Sequence, residues 1–435
     1  MAKPISLPAL ILIAATGLAA ILPAARANNA PEPEVAADRP SFQDWLADFR
    51  QQAEATGISK ATLDATLTGL QPDPNILEHD LSQPEFVQTF WNYLDARITA
   101  KRIAAGKAML AEHAHLFAAE EKRYGVPARY LVAFWGLETN YGGYLGDNSI
   151  IQALATLAYD NRRASFFRAQ LLNALRIVDS GNMSPANLRG SWAGAFGHMQ
   201  FMPSTFLRYA VDGDSDGRID IRDSLADAID SAANYLQQMG WQSGQGWGEE
   251  VVLPKQFDWS QAQLNHWKTI RDWSALGVTR ADGSALPNSN LTAAILLPQG
   301  HDGPAVLVQR NFNVMLRWNH SVNYALAVGL LADRLADKPG LANGRDVDNR
   351  RLSRDQVIDM QNCLATLGFD PGPVDGLPGR QTLNAIRAYQ TTAGLPADGY
   401  ASIPLLDRLH TTLQAKSLPL PSASSEDMTQ TQGTL

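Results

Sequence analysis

Apolar residues recur at helical spacing through most of the first 240 positions of this 435-residue chain. The stretches FQDWLADFRQQAEATG, which follows Ser41, and QPEFVQTFWNYLDARIT have the amphipathic pattern of helices, and Ser41 suits an N-cap. Residues 127–240 are again mainly helical and are interrupted by glycine-rich loops. This half of the chain is therefore predicted to be a helical assembly.

The pattern changes between Trp241 and Phe312, where short apolar runs alternate with proline and glycine. VVLPKQF and AAILLPQGHDGPAVLVQRNF predict short strands, the second with a hairpin around Gly300–Gly303. Helical periodicity returns in NHSVNYALAVGLLADRLA, residues 319–336. We therefore predict a mainly α protein with a small antiparallel β insertion at about residues 242–314.

Beyond residue 337 the chain divides into a linker, a compact unit and a tail. KPGLANGRDVDNRR, residues 338–351, is polar and is predicted to be the linker. Residues 352–412 carry amphipathic helices around a Pro/Gly-rich loop, which predicts a small three-helix domain. Residues 413–435 are rich in Ser, Thr, Gln and Pro, a composition typical of a disordered tail.

The first 27 residues have the pattern of a secretory signal peptide. Lys3 is followed by the apolar ISLPALILIAATGLAAILPA and then by ARA, which predicts cleavage after about Ala27 and export to the periplasm. A transmembrane anchor is the alternative, but Pro8 and Pro23 interrupt the apolar stretch. The run is not followed by cysteine, so we expect no lipid anchor, and residues 28–40 are predicted to be a flexible lead-in.

Charge and cysteine content narrow the possible partners. Two of the 36 basic residues, Lys3 and Arg26, lie in the predicted signal peptide. The mature chain therefore has 34 basic and 44 acidic residues, a net charge of about −10. That balance argues against nucleic acid or an anionic membrane surface as a partner. Cys363 is the sole cysteine, so an intramolecular disulfide is excluded, and its mid-helix position predicts a buried apolar side chain instead of a nucleophile.

A glutamate among aromatic residues, in AFWGLETNYG at 133–142, is the first candidate for chemistry. If a helix begins near Pro127, Glu138 lies on the same face as Phe134 and Trp135. A buried carboxylate is costly unless its surroundings compensate it. Glu138 is then either a structural residue paired with an arginine in the core or a general acid whose proton is retained in apolar surroundings.

Two further segments, GSWAGAFGHMQFMPSTF and RWNHSVNYALAV, combine small residues with polar and aromatic groups that could hold a sugar. Together with GLETNYG, DGDSDGRIDI and AANYL they resemble the lytic murein transglycosylase B family, glycoside hydrolase family 103, over residues 40–337. The resemblance implies a catalytic domain at 41–337 with a lysozyme-like core at about 120–241 and flanking helices. It also implies cleavage of the MurNAc-β-1,4-GlcNAc bond of peptidoglycan glycan strands without water, which leaves 1,6-anhydromuramoyl ends.

The same resemblance assigns roles to individual residues. It makes Glu138 the single catalytic residue, first acid and then base, where glycosidases usually need two carboxylates. The substrate-binding residues that it implies are Ser191, Gln200, Asn319, Tyr324, Tyr141 and Trp318. Trp318 stands where we expect a tyrosine in the family, so an aromatic contact is kept but a hydroxyl is lost.

Two other functions remain open at this point. A hydrolytic muramidase of the same fold would need a second carboxylate, and Asp147 and Asp160 are the nearest ones downstream of Glu138. A non-catalytic wall-binding scaffold could retain the fold alone, although the presence of Glu138, Ser191 and Gln200 together argues against it.

The acidic loop DGDSDGRIDIRD, residues 212–223, has the spacing of a calcium loop with Gly217 at the sharp bend. The candidate ligands are Asp212, Asp214, Asp216, Arg218 through its backbone carbonyl, Asp220, and either Asp223 or Asp227. Position twelve carries Asp223 in place of the long glutamate, and the family resemblance favours Asp227 at the start of the next helix. We predict a structural Ca2+, with sodium or magnesium as other cations and a solvated loop without metal as the alternative.

Residues 352–412 resemble the peptidoglycan-binding domain type 1. The family pattern begins with a leucine followed by glutamine and continues with LGF, VDG, AI, YQ, GL and DG, in that order. Met360 replaces the leading leucine of that pattern, and Tyr389 replaces the usual phenylalanine. The resemblance implies a unit that tethers the enzyme to its insoluble substrate and so raises its effective concentration there.

Overall fold

The computed structural model describes residues 40–81, 89–160, 162–347 and 350–417. The predicted signal peptide, nearly all of the predicted lead-in and most of the predicted tail lie outside these ranges. Of the helices within them, none is both long and apolar enough to cross a membrane.

Helices dominate the domain at residues 41–337, as the periodicity predicts. Their bounds are α1 Phe42–Ala55, α2 Lys60–Leu67, α3 Pro74–Leu81, α4 Phe90–Arg97, α5 Ala100–Glu112, α6 Ala114–Tyr124, α7 Ala128–Thr139, α8 Ile150–Tyr159, α9 Ala164–Asp179, α10 Pro203–Tyr209, α11 Leu225–Gln238, α12 Ile270–Ala275, α13 Arg310–Trp318 and α14 Val322–Leu335. Serine or threonine side chains mark several starts: Ser41 accepts from the Asp44 amide at 3.2 Å, and Thr99 accepts from the Arg102 amide at 3.1 Å. Each such cap satisfies an amide that has no partner inside the helix.

Helix α7 is the centre of this domain. It packs against α5, α6, α11 and α14, and every residue from Tyr130 to Gly136 is buried. A helix that is apolar on all sides is stable only when other helices enclose it, which is the case here. It ends where Asn140 takes a left-handed φ of 52°.

The strands form two antiparallel sheets. A two-stranded sheet joins β1 Asn148–Ser149 to β2 Arg189–Gly190 beside the glycine-rich loop. The predicted insertion is a five-stranded sheet in the order β4-β6-β7-β3-β5, with β3 Gly248–Val252, β4 Lys268–Thr269, β5 Thr279–Arg280, β6 Thr292–Leu296 and β7 Ala305–Gln309. Strands β6 and β7 form the predicted hairpin around Gly300–Gly303. One face of the sheet has a small core of its own that contains Val251, Trp273 and Ile295.

The C-terminal unit consists of three helices, as predicted: α15 Arg354–Thr366, α16 Arg380–Thr392 and α17 Ile403–Ser417. They share a core that includes Cys363, which is 5% exposed, so the prediction of a buried cysteine is confirmed. The predicted tail starts too early, since α17 continues through residues 413–417. Residues 413–417 thus form the last part of α17, the helix that packs on α15.

The segment between the two units lies against the first domain, residues 41–337. The Glu250 carboxylate accepts from the Ala342 and Asn343 amides at 2.6 and 2.9 Å, and the Trp91 indole donates to the Gly344 carbonyl at 2.9 Å. Arg345 forms a salt bridge with Asp95 at 2.8 Å. The predicted linker is therefore polar but anchored at residues 342–345.

Candidate active site

Glu138 lies in the last turn of α7, one residue before the helix ends. Phe134, one turn earlier, packs on Trp318 with ring centroids 4.5 Å apart. Trp135 packs instead against Tyr141 and His198, and its indole donates to His198 Nδ1 at 3.0 Å. The tryptophan that touches the Glu138 carboxyl therefore comes from a helix that is 180 residues away in the sequence.

Two donors converge on one oxygen of Glu138. The Trp318 indole donates to Oε1 at 2.9 Å, and the Tyr324 hydroxyl donates to the same oxygen. Burial and the adjacent Glu138 carboxylate raise the pKa of Tyr324 well above its usual value, while the Arg97 charge acts in the opposite direction. Tyr324 therefore remains a hydroxyl donor throughout the neutral range.

A break between two helices brings these donors together. Trp318 ends α13, Asn319 is extended, and Ser321 caps α14 by accepting from the Tyr324 amide at 3.3 Å. The Asn319 side chain fixes the break because its Oδ1 accepts from the Ser321 amide at 3.0 Å. Asn319, predicted to contact substrate, is 6% exposed and lines the cleft beside Glu138.

The cleft at Glu138 has a mixed polar and apolar lining. Its described lining residues are Glu138, Phe166, Gln170, Ala195, Gln200, Phe201, Met202, Ser204, Thr205, Tyr235, Arg317, Trp318, Asn319 and His320. Glu138 is the only carboxylic acid among them. Asp147, whose side chain is 81% exposed and 3.9 Å from Arg222, and Asp160, which pairs with Arg162, do not line it.

The glycine-rich segment at residues 190–206 places Gln200 at the cleft, whereas Ser191 does not line it. Gln200 has a left-handed φ of 49°, and its side-chain Nε2 donates to the Gly197 and Leu145 carbonyls at 3.0 and 3.2 Å. Ser191 is fully buried, and its hydroxyl accepts from the Ala195 amide at 3.0 Å. The prediction that Ser191 lines the cleft is therefore wrong for this structure: Ser191 shapes the loop, because its hydroxyl satisfies a backbone amide there.

Two other predicted substrate residues, Tyr324 and Tyr141, do not line the cleft. Tyr324 is 1% exposed and donates to Glu138, so it positions the carboxyl and does not contact the substrate. Tyr141 contacts α5. Its hydroxyl donates to the Arg102 carbonyl at 2.8 Å, and its ring packs on Trp135. Burial raises its pKa to about 12. A left-handed φ of 61° turns the side chain toward α5 and away from the cleft, so its role is to fix the end of α7.

Several lining residues were not anticipated from the sequence. Gln170 on α9 exchanges two hydrogen bonds with Ser204 at 3.0 Å each, which ties α9 to the start of α10. Phe166, one turn before Gln170, keeps 37% of its surface exposed at the edge of the cleft. Their segment has ordinary helical periodicity, so only the tertiary packing identifies them.

The acidic loop brings together three of the predicted ligands. Carboxylate oxygens of Asp212, Asp214 and Asp227 lie within 4.8 Å of one another. Asp227 is 1% exposed, and burial raises its pKa although the Gly213 and Asp220 amides donate to it. Three clustered carboxylate oxygens suit a hard cation such as Ca2+, and Gly217, with φ of 88°, provides the predicted bend.

The other predicted ligands lie outside this cluster. Asp216 accepts from the Arg218 amide at 2.8 Å, and Asp220 accepts from the Arg222 and Asp223 amides at 2.9 and 3.0 Å. The cluster thus contains Asp227 and lacks Asp223, because the first turn of α11 brings Asp227 back under the loop. The predicted carbonyl ligand of Arg218 stays a prediction.

Comparisons with known proteins agree with the architecture. The sequence profile of the Transglycosylase SLT domain matches residues 41–333, and that of a peptidoglycan binding domain matches residues 353–409. The chain is 36% identical over 219 residues to the membrane-bound lytic murein transglycosylase B of Escherichia coli K12. That match covers 49% of this chain and 58% of the E. coli protein.

Solved structures match over longer stretches. SltB3 of Pseudomonas aeruginosa in complex with NAG-anhNAM-pentapeptide has a TM-score of 0.82 and 47% identity, over 85% of this chain and 99% of that one. The E. coli lytic transglycosylase Slt35 in complex with calcium has a TM-score of 0.57 and 30% identity, over 69% of this chain and 94% of that one. The predicted lysozyme-like core with a small β insertion and a helical C-terminal domain is thereby confirmed.

Proposed function

The chain belongs to the Transglycosylase SLT domain family, and from that premise we propose that it is a lytic transglycosylase of peptidoglycan. It cleaves the MurNAc-β-1,4-GlcNAc bond of the glycan strand and closes a 1,6-anhydro ring on the muramoyl residue. The observation that carries this proposal is a cleft with one carboxylic acid, Glu138, among its described lining residues. A hydrolase of either stereochemistry would normally need a second carboxylate at that cleft.

The hydrogen bonds at Glu138 suit an acid that later becomes a base. Because Trp318 and Tyr324 both donate to Oε1, the transferable proton is carried by Oε2. That proton passes to the glycosidic oxygen as its bond to C1 of MurNAc breaks, and GlcNAc leaves with a free 4-hydroxyl group. The 6-hydroxyl of MurNAc then attacks C1 and returns its proton to Glu138, so no water is consumed.

Replacement of the carboxyl tests this role. Glu138→Gln keeps the size of the side chain and its acceptor oxygen but cannot donate and retake the proton, so turnover should fall by at least about a hundredfold. Asp147→Asn, the matched change at the exposed carboxylate, should retain activity. Turnover would be measured on purified murein, with circular dichroism as the control for folding. Normal turnover by Glu138→Gln would remove Glu138 from the mechanism.

The C-terminal unit is proposed to anchor the enzyme to the wall. Its match to a peptidoglycan binding domain and its three-helix core support this role. Deletion of residues 350–435 should reduce co-sedimentation with insoluble sacculi while soluble glycan fragments are still cleaved, since all proposed catalytic groups precede residue 325. Equal sedimentation of the shortened and full-length proteins would contradict the anchor.

Two further proposals concern the export of the protein and a bound calcium ion. The proposed substrate is a periplasmic polymer, and we propose export by the signal peptide with cleavage after about Ala27 and without a lipid anchor. The acidic loop is proposed to hold a structural Ca2+ through Asp212, Asp214 and Asp227, which do not line the cleft. The calcium complex of Slt35 and the clustered carboxylates support this assignment.

A further inference from the structure

A second group of metal-binding side chains lies in the C-terminal unit, away from the cleft and the acidic loop. Asp359 and Cys363 on α15 meet His410 on α17, and one potential ligand atom from each lies within 4.8 Å of the others. His410 Nε2 is 2.9 Å from Asp359 Oδ2, and Cys363 Sγ is 3.6 Å from Asp359 Oδ1. The group thus offers one sulfur, one imidazole nitrogen and one carboxylate.

Packed helices hold the backbone of these three residues in place. Asp359 and Cys363 are four positions apart on α15, so they project from the same face. Helices α15 and α17 pack together through a core that includes Met360, Leu364 and Leu409. The three positions are therefore fixed by helix packing before any ligand arrives, a favourable condition for a metal site.

The separations fit tetrahedral zinc. For a Zn–S bond of about 2.3 Å and Zn–N or Zn–O bonds of about 2.0 Å, a tetrahedral site places the sulfur about 3.5 Å from the oxygen ligand and the nitrogen about 3.3 Å from that oxygen. The Cys363–Asp359 distance of 3.6 Å agrees with the first value. His410 Nε2 lies 2.9 Å from the other carboxylate oxygen, Oδ2, so coordination through a single oxygen requires rotation of the Asp359 carboxylate and an opening of a few tenths of an ångström. Both partly exposed side chains, Asp359 at 47% and His410 at 43%, have room for that movement.

We propose that Asp359, Cys363 and His410 bind one zinc ion that clamps α15 to α17, with a water molecule as the fourth ligand. A thiolate and an imidazole favour zinc over the hard calcium and magnesium ions, in contrast to the all-oxygen cluster at Asp212. Cys363 loses its thiol proton to solvent when the metal binds. The exposed sides of Asp359 and His410 admit the ion and its water. The clamp would link the first and last helices of the wall-binding unit.

The test uses the full-length protein, stripped of metal with a chelator and then loaded. After incubation with zinc and removal of excess ion, elemental analysis should find about one zinc per chain, also in the presence of calcium. Loading with cobalt(II) should give the near-ultraviolet charge-transfer band of a cobalt–thiolate bond. That band reports the sulfur ligand directly, so binding at the acidic loop cannot produce it.

Variants separate the proposed site from other binding. Cys363→Ser should abolish the cobalt–thiolate band, and His410→Gln should abolish zinc retention with little effect on folding, because this side chain is partly exposed. Asp212→Asn, in the acidic loop, should leave both signals unchanged. The proposal is overturned if the wild-type protein retains no zinc, if it shows no thiolate band, or if His410→Gln retains zinc as well as the wild type does. The measurements involve no catalysis, so their outcome is independent of the function proposed for Glu138.

Discussion

Trp318 and Tyr324 reach the same oxygen of Glu138 from either side of a helix break, and this is the central arrangement at the residue scale. The sequence comparison suggested that Trp318 costs the site a hydroxyl group. In the structure its indole N–H donates to Glu138, and Tyr324 supplies a hydroxyl donor to the same atom. The substitution therefore keeps a donor at this position, although an indole cannot accept and pass on a proton.

The Tyr324 hydroxyl gives the first prediction. Tyr324→Phe removes one of the two donors to Glu138 while it preserves the buried ring, so we expect activity to fall by about tenfold to a hundredfold. Tyr130→Phe is the matched control, because Tyr130 is an equally buried tyrosine whose hydroxyl accepts from Arg129 and does not contact Glu138. Initial rates on murein would be compared at equal folded protein. Wild-type rates in Tyr324→Phe would show that this hydrogen bond does not support the reaction.

At the scale of elements, the acidic loop is held to α11 by Asp227. Its carboxylate is buried, accepts from the Gly213, Asp214 and Asp220 amides, and adjoins Asp212 and Asp214. The mutual repulsion of these carboxylates opposes folding when no cation is bound. The loop and the start of α11 should therefore gain order when calcium binds.

Calcium should raise the melting temperature of the metal-stripped protein, because it binds the folded loop better than the unfolded chain. Asp212→Asn should weaken that response, since it removes a charge from the cluster. Asp223→Asn, a change of the same kind eleven residues later, should leave the response intact. A melting curve of the wild type that does not move at saturating calcium would rule out the metal site.

The sequence predicts the elements well where the local pattern decides them. The enclosed helix α7, the β6–β7 hairpin and the three C-terminal helices follow from periodicity, proline and glycine. Ser191 could not be assigned correctly, because its burial depends on how Gly190 packs: a Cβ there would lie 2.1 Å from the Ala195 carbonyl oxygen. Nor could Phe166 and Gln170 be identified as lining residues, since contact between α9 and α10 is a tertiary property.

At the scale of the whole molecule, the C-terminal unit docks on the hairpin of the β insertion. Asp398, 7% exposed, accepts from the His301 amide at 2.8 Å and lies 2.7 Å from His301 Nδ1. The hydrogen bond to Asp398 raises the pKa of His301 despite partial burial. Burial raises the pKa of Asp398, but the hydrogen bonds from His301, Tyr400 and Gln390 together outweigh it and lower that pKa.

These shifts predict a pH window for the docked arrangement. The raised pKa of His301 gives a stabilisation that is complete below the usual value of 6.5 and is lost as pH rises through the folded-state pKa. The lowered pKa of Asp398 gives a second stabilisation, which is present above the usual pKa of 3.8 and is lost as pH falls through the folded-state pKa. Docking should therefore be tightest between these two values, with Asp302 adding a weaker attraction to His301.

Hydrogen exchange of residues 298–303 and 396–400, corrected for the intrinsic pH dependence, would measure this docking. Protection should decrease from about pH 5 to about pH 8, and His301→Ala should remove the dependence on pH. His320→Ala, which changes a histidine at the cleft and not at the docking contact, should preserve the pH dependence. Protection in the wild type that is equal at both pH values would contradict the proposed role of this contact.

The most direct test of the account is the chemistry of the product. Purified murein would be digested by the full-length enzyme in oxygen-18-labelled water, and the released muropeptides would be analysed by mass spectrometry. If Glu138 alone serves as acid and base and the 6-hydroxyl of MurNAc is the nucleophile, the products should lack the mass of one water and carry no label from the solvent. Reducing ends that contain oxygen-18 would show that water attacks the anomeric carbon, and the chain would then be a muramidase.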